Sequence, residues 1–183
     1  LSLAGALESP LVIHVGQRPG PATGMPTRTE QGDLLFALFS GHGEFPRIIY
    51  APGNYSQGFD LTRKAFHMAD KYQVPVILLT DQYFLDSNGT VPGVNVDNSM
   101  STNIITETDS GNRRYKVTES GISPRGIPGY GTGIVCLDSD EHDEGGYITE
   151  DFAVRVAQVN KRMGKLQSMG ADNMPPDLYG PDD

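Results

Sequence analysis

The sequence predicts an α/β fold built on part of a parallel, doubly wound sheet, with an irregular arm and a long C-terminal helix. Three observations lead there. The runs Leu11-Val12-Ile13-His14-Val15 and Pro75-Val76-Ile77-Leu78-Leu79 are short and nearly unbroken apolar stretches, the pattern of strands buried on both faces. Stretches with helical spacing of apolar residues lie between the strands, so strand and helix alternate over residues 10–81. The first strand then runs into Gln17-Arg18-Pro19-Gly20-Pro21-Ala22-Thr23-Gly24-Met25-Pro26-Thr27, a Gly- and Pro-rich loop with one Arg and two Thr. Open α/β sheets place ligands beside such loops, at the carboxyl ends of their strands.

Taken in order, Leu3-Ala4-Gly5-Ala6-Leu7-Glu8 reads as a helix end, and Leu11–Val15 as the first strand. A helix is expected over about Thr29–Ser40, with Leu34, Leu35, Leu38 and Phe39 at core spacing and a stop at Gly41-His42-Gly43. Arg47–Tyr50 gives the second strand, and about Gln57–Tyr72 a second helix with Phe59, Phe66, Ala69 and Tyr72 on one side. Val74–Thr80 is the third strand and the most apolar. Residues 91–136 form an arm of turn-forming residues with short β-type pieces at Asn103–Ile105, Tyr115–Val117 and Gly133–Leu137. Residues 137–170 hold an acidic loop and a helix over about Thr149–Ser168. Thr149 is its expected cap, Glu150 and Asp151 stand at its positive end, and Lys161, Arg162 and Lys165 lie towards its negative end. Residues 171–183 read as a linker towards a further domain, so the divisions fall at 1–90, 91–136, 137–170 and 171–183.

The 183 residues carry a net charge of −9, all of it in residues 81–183, since acidic and basic side chains balance over residues 1–80. That argues against binding to nucleic acid or to an anionic membrane. No run is long enough to span a bilayer, no signal peptide is visible, and one cysteine, Cys136, excludes an internal disulfide; a cytoplasmic setting is expected. The start at Leu1, inside a helix end, leads us to expect a fragment of a longer chain.

The chemistry concentrates in the Arg18–Thr27 loop. Arg18 offers a planar fork of donors suited to a carboxylate or phosphate, and Thr23 and Thr27 offer hydroxyls. Thr27-x-x-Glu30 fits a helix capping box equally well, and from the residues alone both readings stand. Asp81, Gln82 and Tyr83 end the third strand on the same carboxyl edge, within reach of a ligand or partner. His42 and Glu44 follow a helix end, where a His more often acts as a capping cation than as a catalyst. In Asp138-Ser139-Asp140-Glu141-His142-Asp143-Glu144, the spacing fits neither an EF-hand nor a zinc motif, so a solvated loop is favoured, with Glu141 or His142 pairing to a neighbouring element. Cys136 is expected to be buried rather than reactive. No nucleophile elbow, phosphate-binding lysine loop or dinucleotide fingerprint is present, so no catalytic residue and no metal site are assigned.

The block Gln17-Arg18-x-Gly20-Pro21-Ala22-Thr23-Gly24-Met25-Pro26-Thr27-Arg28-Thr29-Glu30-Gln31-x-Asp33-Leu34 resembles the signature of the alpha subunit of 2-oxoacid:ferredoxin oxidoreductases, a family whose members act on 2-oxoglutarate, pyruvate or related acids. So do His42-Gly43-Glu44-x-Pro46-Arg47, Pro75-Val76-Ile77-Leu78-Leu79-x-Asp81-Gln82-Tyr83, Ile122-Ser123-Pro124-Arg125-Gly126-x-Pro128-Gly129 and Ser139-Asp140-Glu141-His142-Asp143-Glu144-x-Gly146. The resemblance spans essentially the whole chain. It implies the thiamine diphosphate pyrimidine-binding type of sheet, with residues 1–90 its C-terminal half. It further implies oxidative decarboxylation of a 2-oxo acid to acyl-CoA, with coenzyme A as co-substrate, Mg²⁺ with the diphosphate, and iron–sulfur clusters on other subunits or domains. The partners implied are a beta subunit, the rest of the alpha chain and, indirectly, ferredoxin.

By the same resemblance, Arg18 matches a position that recognises the substrate carboxylate, and Thr27 another substrate position, with Thr23 beside them. The family's Tyr-Pro-Ile-Thr-Pro block and its activating glutamate do not occur in this chain, so activity from it alone is not expected. Two other readings remain: the pyrimidine-binding half-domain of another thiamine-dependent enzyme, and a non-catalytic anion- or partner-binding module.

Overall fold

The computed structural model describes residues 1–94, 96, 100 and 104–181. Their helices and strands are α1 (Ser2–Ala6), β1 (Leu11–Gln17), α2 (Leu34–Phe39), β2 (Ile48–Tyr50), α3 (Tyr55–Tyr72), β3 (Pro75–Asp81), α4 (Gln82–Asp86) and α5 (Phe152–Gly170). The three strands are parallel in the order β1-β3-β2, so the expected βαβ alternation is present. β3 lies at the centre because it is the strand apolar on both faces, and every residue from Pro75 to Thr80 is buried.

Side chains alternate across the pleat, and the two faces of β3 feed two clusters. Val76 and Leu78 meet Ala65, Met68, Ala69 and Tyr72 of α3, together with Met169 of α5. Ile77 and Leu79 turn the other way and meet only Ala37 among buried side chains, with Leu1, Val15 and Ile49 half-buried around them. α3 starts where Asn54 accepts a hydrogen bond from the Gln57 N–H at 3.0 Å. It ends at Gln73, in the left-handed region at φ 53°.

Several expectations need correction. The helix expected over Thr29–Ser40 is only α2, and its apolar residues are not core: Phe36 is 69% and Phe39 74% exposed, and Leu34, Leu35 and Leu38 are exposed too. Among the described residues only Ala37 of this helix finds a packed neighbour on the sheet, so spacing alone misassigned the face. On α3, Phe66 is exposed and Phe59 half-buried, because the helix turns the smaller Ala65, Met68 and Ala69 towards β3. Tyr115–Val117 and Gly133–Leu137 are not strands; among residues 104–136 the only ladder contact is an isolated bridge, Thr108 to Gly131. The Asn103–Ile105 piece begins outside the described residues, as does the very end of the 171–183 tail, while Ile104 and Ile105 are not strand. α5 is capped by Asp151, not Thr149: Asp151 Oδ1 accepts from the N–H groups of Ala153 at 2.7 Å and Val154 at 3.0 Å.

Lys161 and Lys165 do not simply complement a helix dipole; they are buried. Lys161 Nζ lies 2.6 Å from Glu8 Oε1, and Lys165 Nζ 2.5 Å from Glu8 Oε2. Lys161 also donates to the Tyr115 carbonyl (3.1 Å) and Ser123 Oγ (3.0 Å), and Lys165 donates to the Gln73 carbonyl at 3.2 Å. Glu8 itself adopts φ 49°, and Arg114 Nη2 donates to its carbonyl at 2.8 Å. This knot ties the entry to β1, the end of α3, the arm and α5 into one body.

Burial alone would raise the Glu8 carboxyl, but Lys165 and Lys161 outweigh it and hold it below its ordinary value. Burial pushes Lys161 down to about 8 against the pull of Glu8, because one carboxylate faces two ammoniums. Glu8→Gln is therefore expected to cost about 3–5 kcal/mol in urea unfolding, since it leaves two buried cations without their counter-charge. The knot has a pH signature as well. Folded Lys161 releases its proton near 8, while an unfolded lysine holds it to 10.5, so between these values the unfolded chain binds more protons. The stability of the wild type relative to Lys161→Met should then rise from pH 8 to 10.5. A flat or falling difference across that window in urea titrations would contradict this account.

Candidate functional site

β1 and β3 end in register, Gln17 opposite Asp81, so the loop after β1 and the short helix α4 after β3 leave the carboxyl edge side by side. Residues 18–33 form a loop; the residues expected to open a helix at Thr29–Gln31 are not helical. The capping-box reading of Thr27 and Glu30 therefore falls, because Thr29–Gln31 run across the sheet edge and α2 begins only after Asp33.

The inside of the loop is fixed by its own turns. Arg18 Nε donates to the Thr23 carbonyl at 2.9 Å, the Met25 N–H to the Pro19 carbonyl at 3.1 Å, and the Arg28 N–H to the Met25 carbonyl at 3.0 Å. Gly24 is required here: its φ is +55°, and a Cβ would stand 1.7 Å from the Pro19 oxygen. The Nε bond leaves the outer edge of the Arg18 guanidinium, its two Nη groups, facing solvent in the side-by-side geometry a carboxylate takes. Thr23 meets Arg18 through its carbonyl rather than its hydroxyl. Thr27 stands within the Met25–Arg28 turn, exposed and without a direct hydrogen bond to Arg18 among the described residues.

Two polar side chains at the strand ends attach the loop to the sheet, and sequence reasoning did not assign them that role. Gln17, 5% exposed, accepts from the Asp33 N–H through Oε1 at 3.1 Å. Asp81 accepts from Gln31 Nε2 at 2.8 Å and from the Phe84 N–H at 2.7 Å. The Gln31 amide, the Phe84 N–H and the Thr29 hydroxyl hold the Asp81 carboxyl below its usual range. The available signal was a polar residue closing each apolar strand at the carboxyl edge.

The other candidates lie elsewhere. A cavity of about 380 Å³ opens at the amino edge of the sheet, between α1, His42–Phe45 and α5. His42 and Glu44 line it, away from the Arg18 loop. Its Arg162 is engaged with Glu141 by two bonds of 2.9 Å, and Arg155 by one of 2.8 Å. Glu141 thus pairs with a neighbouring helix, and His142 is fully buried against the Tyr115 ring, 3.7 Å between centroids. Among the described residues no group of three or more His, Cys, Asp or Glu side chains is placed to hold a metal ion. Cys136 is half-buried, and its thiol donates to the Gly146 carbonyl at 3.1 Å.

Residues 1–161 match the family model described as "Pyruvate flavodoxin/ferredoxin oxidoreductase, thiamine diP-bdg". The chain is 41% identical over 171 residues to the alpha subunit of 2-oxoacid:ferredoxin oxidoreductase 1 of Sulfurisphaera tokodaii, covering 91% of this chain and 27% of that one. It is 31% identical over 148 residues to 2-oxoglutarate synthase subunit KorA of Methanothermobacter thermautotrophicus, covering 79% and 38%. A solved 2-oxoglutarate:ferredoxin oxidoreductase from Magnetococcus marinus, with 2-oxoglutarate, coenzyme A and succinyl-CoA bound, superposes with TM-score 0.77 at 28% identity, over all of this chain and 32% of that one. The chain thus spans about a quarter to two fifths of the length of these relatives.

The geometry of Gly24 can be tested directly. Gly24→Ala is expected to force Pro19 aside and speed tryptic cleavage after Arg28. Gly43→Ala, also at positive φ but in open space, should cost only about 1 kcal/mol and leave that cleavage unchanged.

Proposed function

The chain belongs to the pyruvate flavodoxin/ferredoxin oxidoreductase thiamine diphosphate-binding family, and from that premise we propose that it is the part of an alpha subunit that recognises the 2-oxo acid. In this reading the assembled enzyme decarboxylates 2-oxoglutarate or a related 2-oxo acid oxidatively, giving acyl-CoA and CO₂. The observation that carries the reading is the exposed Arg18 guanidinium at the carboxyl edge of the sheet, tied by Nε to the Thr23 carbonyl, with no hydrogen bond from its Nη groups among the described residues. A fork held in that way accepts a carboxylate through two parallel hydrogen bonds with little further loss of freedom. Thr27, on the return side of the same loop, supplies a hydroxyl for the substrate, and Thr23 positions Arg18.

The division of labour follows from what these residues can do. Thiamine diphosphate, when bound, supplies the carbanion chemistry. By the family resemblance, the Mg²⁺ and diphosphate are assigned to a beta subunit. Arg18 orients the carboxylate that leaves as CO₂. Iron–sulfur clusters on other subunits or domains would carry the electrons to ferredoxin, and coenzyme A would take the acyl group, as its presence in the Magnetococcus marinus structure supports. Residues 1–90 serve as the C-terminal half of the pyrimidine-binding domain, 91–136 as an arm, 137–170 as the element that locks the arm down, and 171–183 as the passage to a further domain. The exposed apolar face of α2 is assigned to contact with the remaining alpha chain or the beta subunit, in the cytoplasm.

In the assembled enzyme, Arg18→Ala is expected to raise KM for the 2-oxo acid by about 10–100-fold and Arg18→Lys by less, with KM for coenzyme A unchanged. Steady-state kinetics with both substrates checks this, and an unchanged KM for the 2-oxo acid in Arg18→Ala removes the carboxylate assignment.

A further inference from the structure

The loop's internal turns fix its shape but not its place on the sheet. Its outgoing limb is placed by β1, since Arg18 directly follows Gln17, the last residue of the strand. Its return limb, which carries Thr27, has no such continuity. The described hydrogen bonds that attach this limb to the sheet are those to Asp81 and Gln17.

Asp81 is suited to this in two ways. An ionised carboxylate only accepts, with room for several donors, and Asp81 accepts from Gln31 Nε2 at 2.8 Å and from the Phe84 N–H at 2.7 Å. The first donor belongs to the return limb, so the bond sets where that limb meets the sheet edge. The second comes from α4, so the same carboxylate that holds the loop also starts the helix beside it. Gln17, opposite in register, holds the next residues through Asp33 and keeps the limb from sliding.

We infer that Asp81 is a positioning residue for substrate recognition: through Gln31 it sets where Thr27 stands relative to Arg18. The inference rests on the reading of Arg18 as the carboxylate-binding group. Asp81 touches no substrate in this scheme. Its effect reaches the reaction through the spacing of the Arg18 fork and the Thr27 hydroxyl, where displacements of about 1 Å change rates strongly.

The test uses the assembled enzyme with full-length subunits and four variants. Q31E sets a second carboxylate against Asp81 and should release the limb. KM for the 2-oxo acid is then expected to rise about tenfold, with KM for coenzyme A and the thermal midpoint unchanged. In the double variant D81N/Q31E, the amide introduced at 81 donates to the carboxylate introduced at 31, and KM should return to within about twofold of wild type. Tryptic cleavage after Arg28 reads the limb without reference to substrate; it should quicken in Q31E and slow again in the double variant. R18A reports on the underlying reading, and Asp81→Ala confirms that loss of the acceptor acts as Q31E does. An unchanged KM and unchanged cleavage in Q31E, with KM raised in R18A, overturns the inference alone. Altered cleavage in Q31E with KM unchanged in R18A overturns the substrate reading and leaves the loop-holding role standing. Loss of kcat and thermal midpoint in Q31E and the double variant alike, with no recovery, reduces Asp81 to a structural residue and overturns the inference.

Discussion

The structure depends most on one buried carboxylate shared by two buried ammoniums. Glu8 is 1% exposed, and its two oxygens each face a lysine of α5. Removing three charges from water is costly, and beyond the ion pairs themselves the two ammoniums find neutral acceptors elsewhere in the chain. The acceptors are the carbonyls of Tyr115 and Gln73 and the Ser123 hydroxyl, which belong to the arm and to the end of α3. Among the described residues the arm has almost no regular secondary structure of its own, and these bonds fix its course around Tyr115 and Ser123. Once Glu8 is placed, the entry to β1 is placed, and with it the register of β1 on β3.

That register brings the chemistry together. A parallel sheet puts all carboxyl ends on one edge, so Gln17 and Asp81, far apart in sequence, become neighbours. Each closes an apolar strand with a polar side chain, and each uses that side chain to hold part of the loop between β1 and α2. The loop is therefore exposed in composition and surface yet anchored at both ends, which lets it present Arg18 without being part of the core. The knot at Glu8 and the anchors at the carboxyl edge lie at opposite ends of the same strands. The amino edge holds the buried ion knot, and the carboxyl edge holds the loop that carries Arg18.

The uneven cover of the sheet fits a chain that spans 27% of its Sulfurisphaera relative. On the α3 face, large side chains pack against Val76 and Leu78, with Met169 of α5 closing over them. On the α2 face only Ala37 is buried with Ile77 and Leu79, while Phe36 and Phe39 stand in solvent. Helical spacing in the sequence marked Leu34, Leu35, Leu38 and Phe39 as core, whereas in the structure they are exposed and Ala37 is the residue of α2 that packs with Ile77 and Leu79.

The sequence by itself determined the three strands of the sheet, their parallel arrangement and the position of the Gly- and Pro-rich loop after the first of them. Those features rest on local pattern: continuous apolar runs, alternating helices, and Gly and Pro at a turn that must take positive φ at Gly24. It also placed Arg18 at the sheet edge and offered Glu141 or His142 as pairing with a neighbouring element, of which the structure chose Glu141 and buried His142 against Tyr115. Only the tertiary structure decided that Thr27 does not cap a helix, that Asp151 rather than Thr149 starts α5, and that Lys161 and Lys165 are interior. A lysine on a helix reads as a surface residue until the one carboxylate that can draw it inside is known. Here that carboxylate lies more than 150 residues away along the chain, at Glu8. Long-range pairing of single residues leaves no periodic trace in the sequence, whereas strands and helices do.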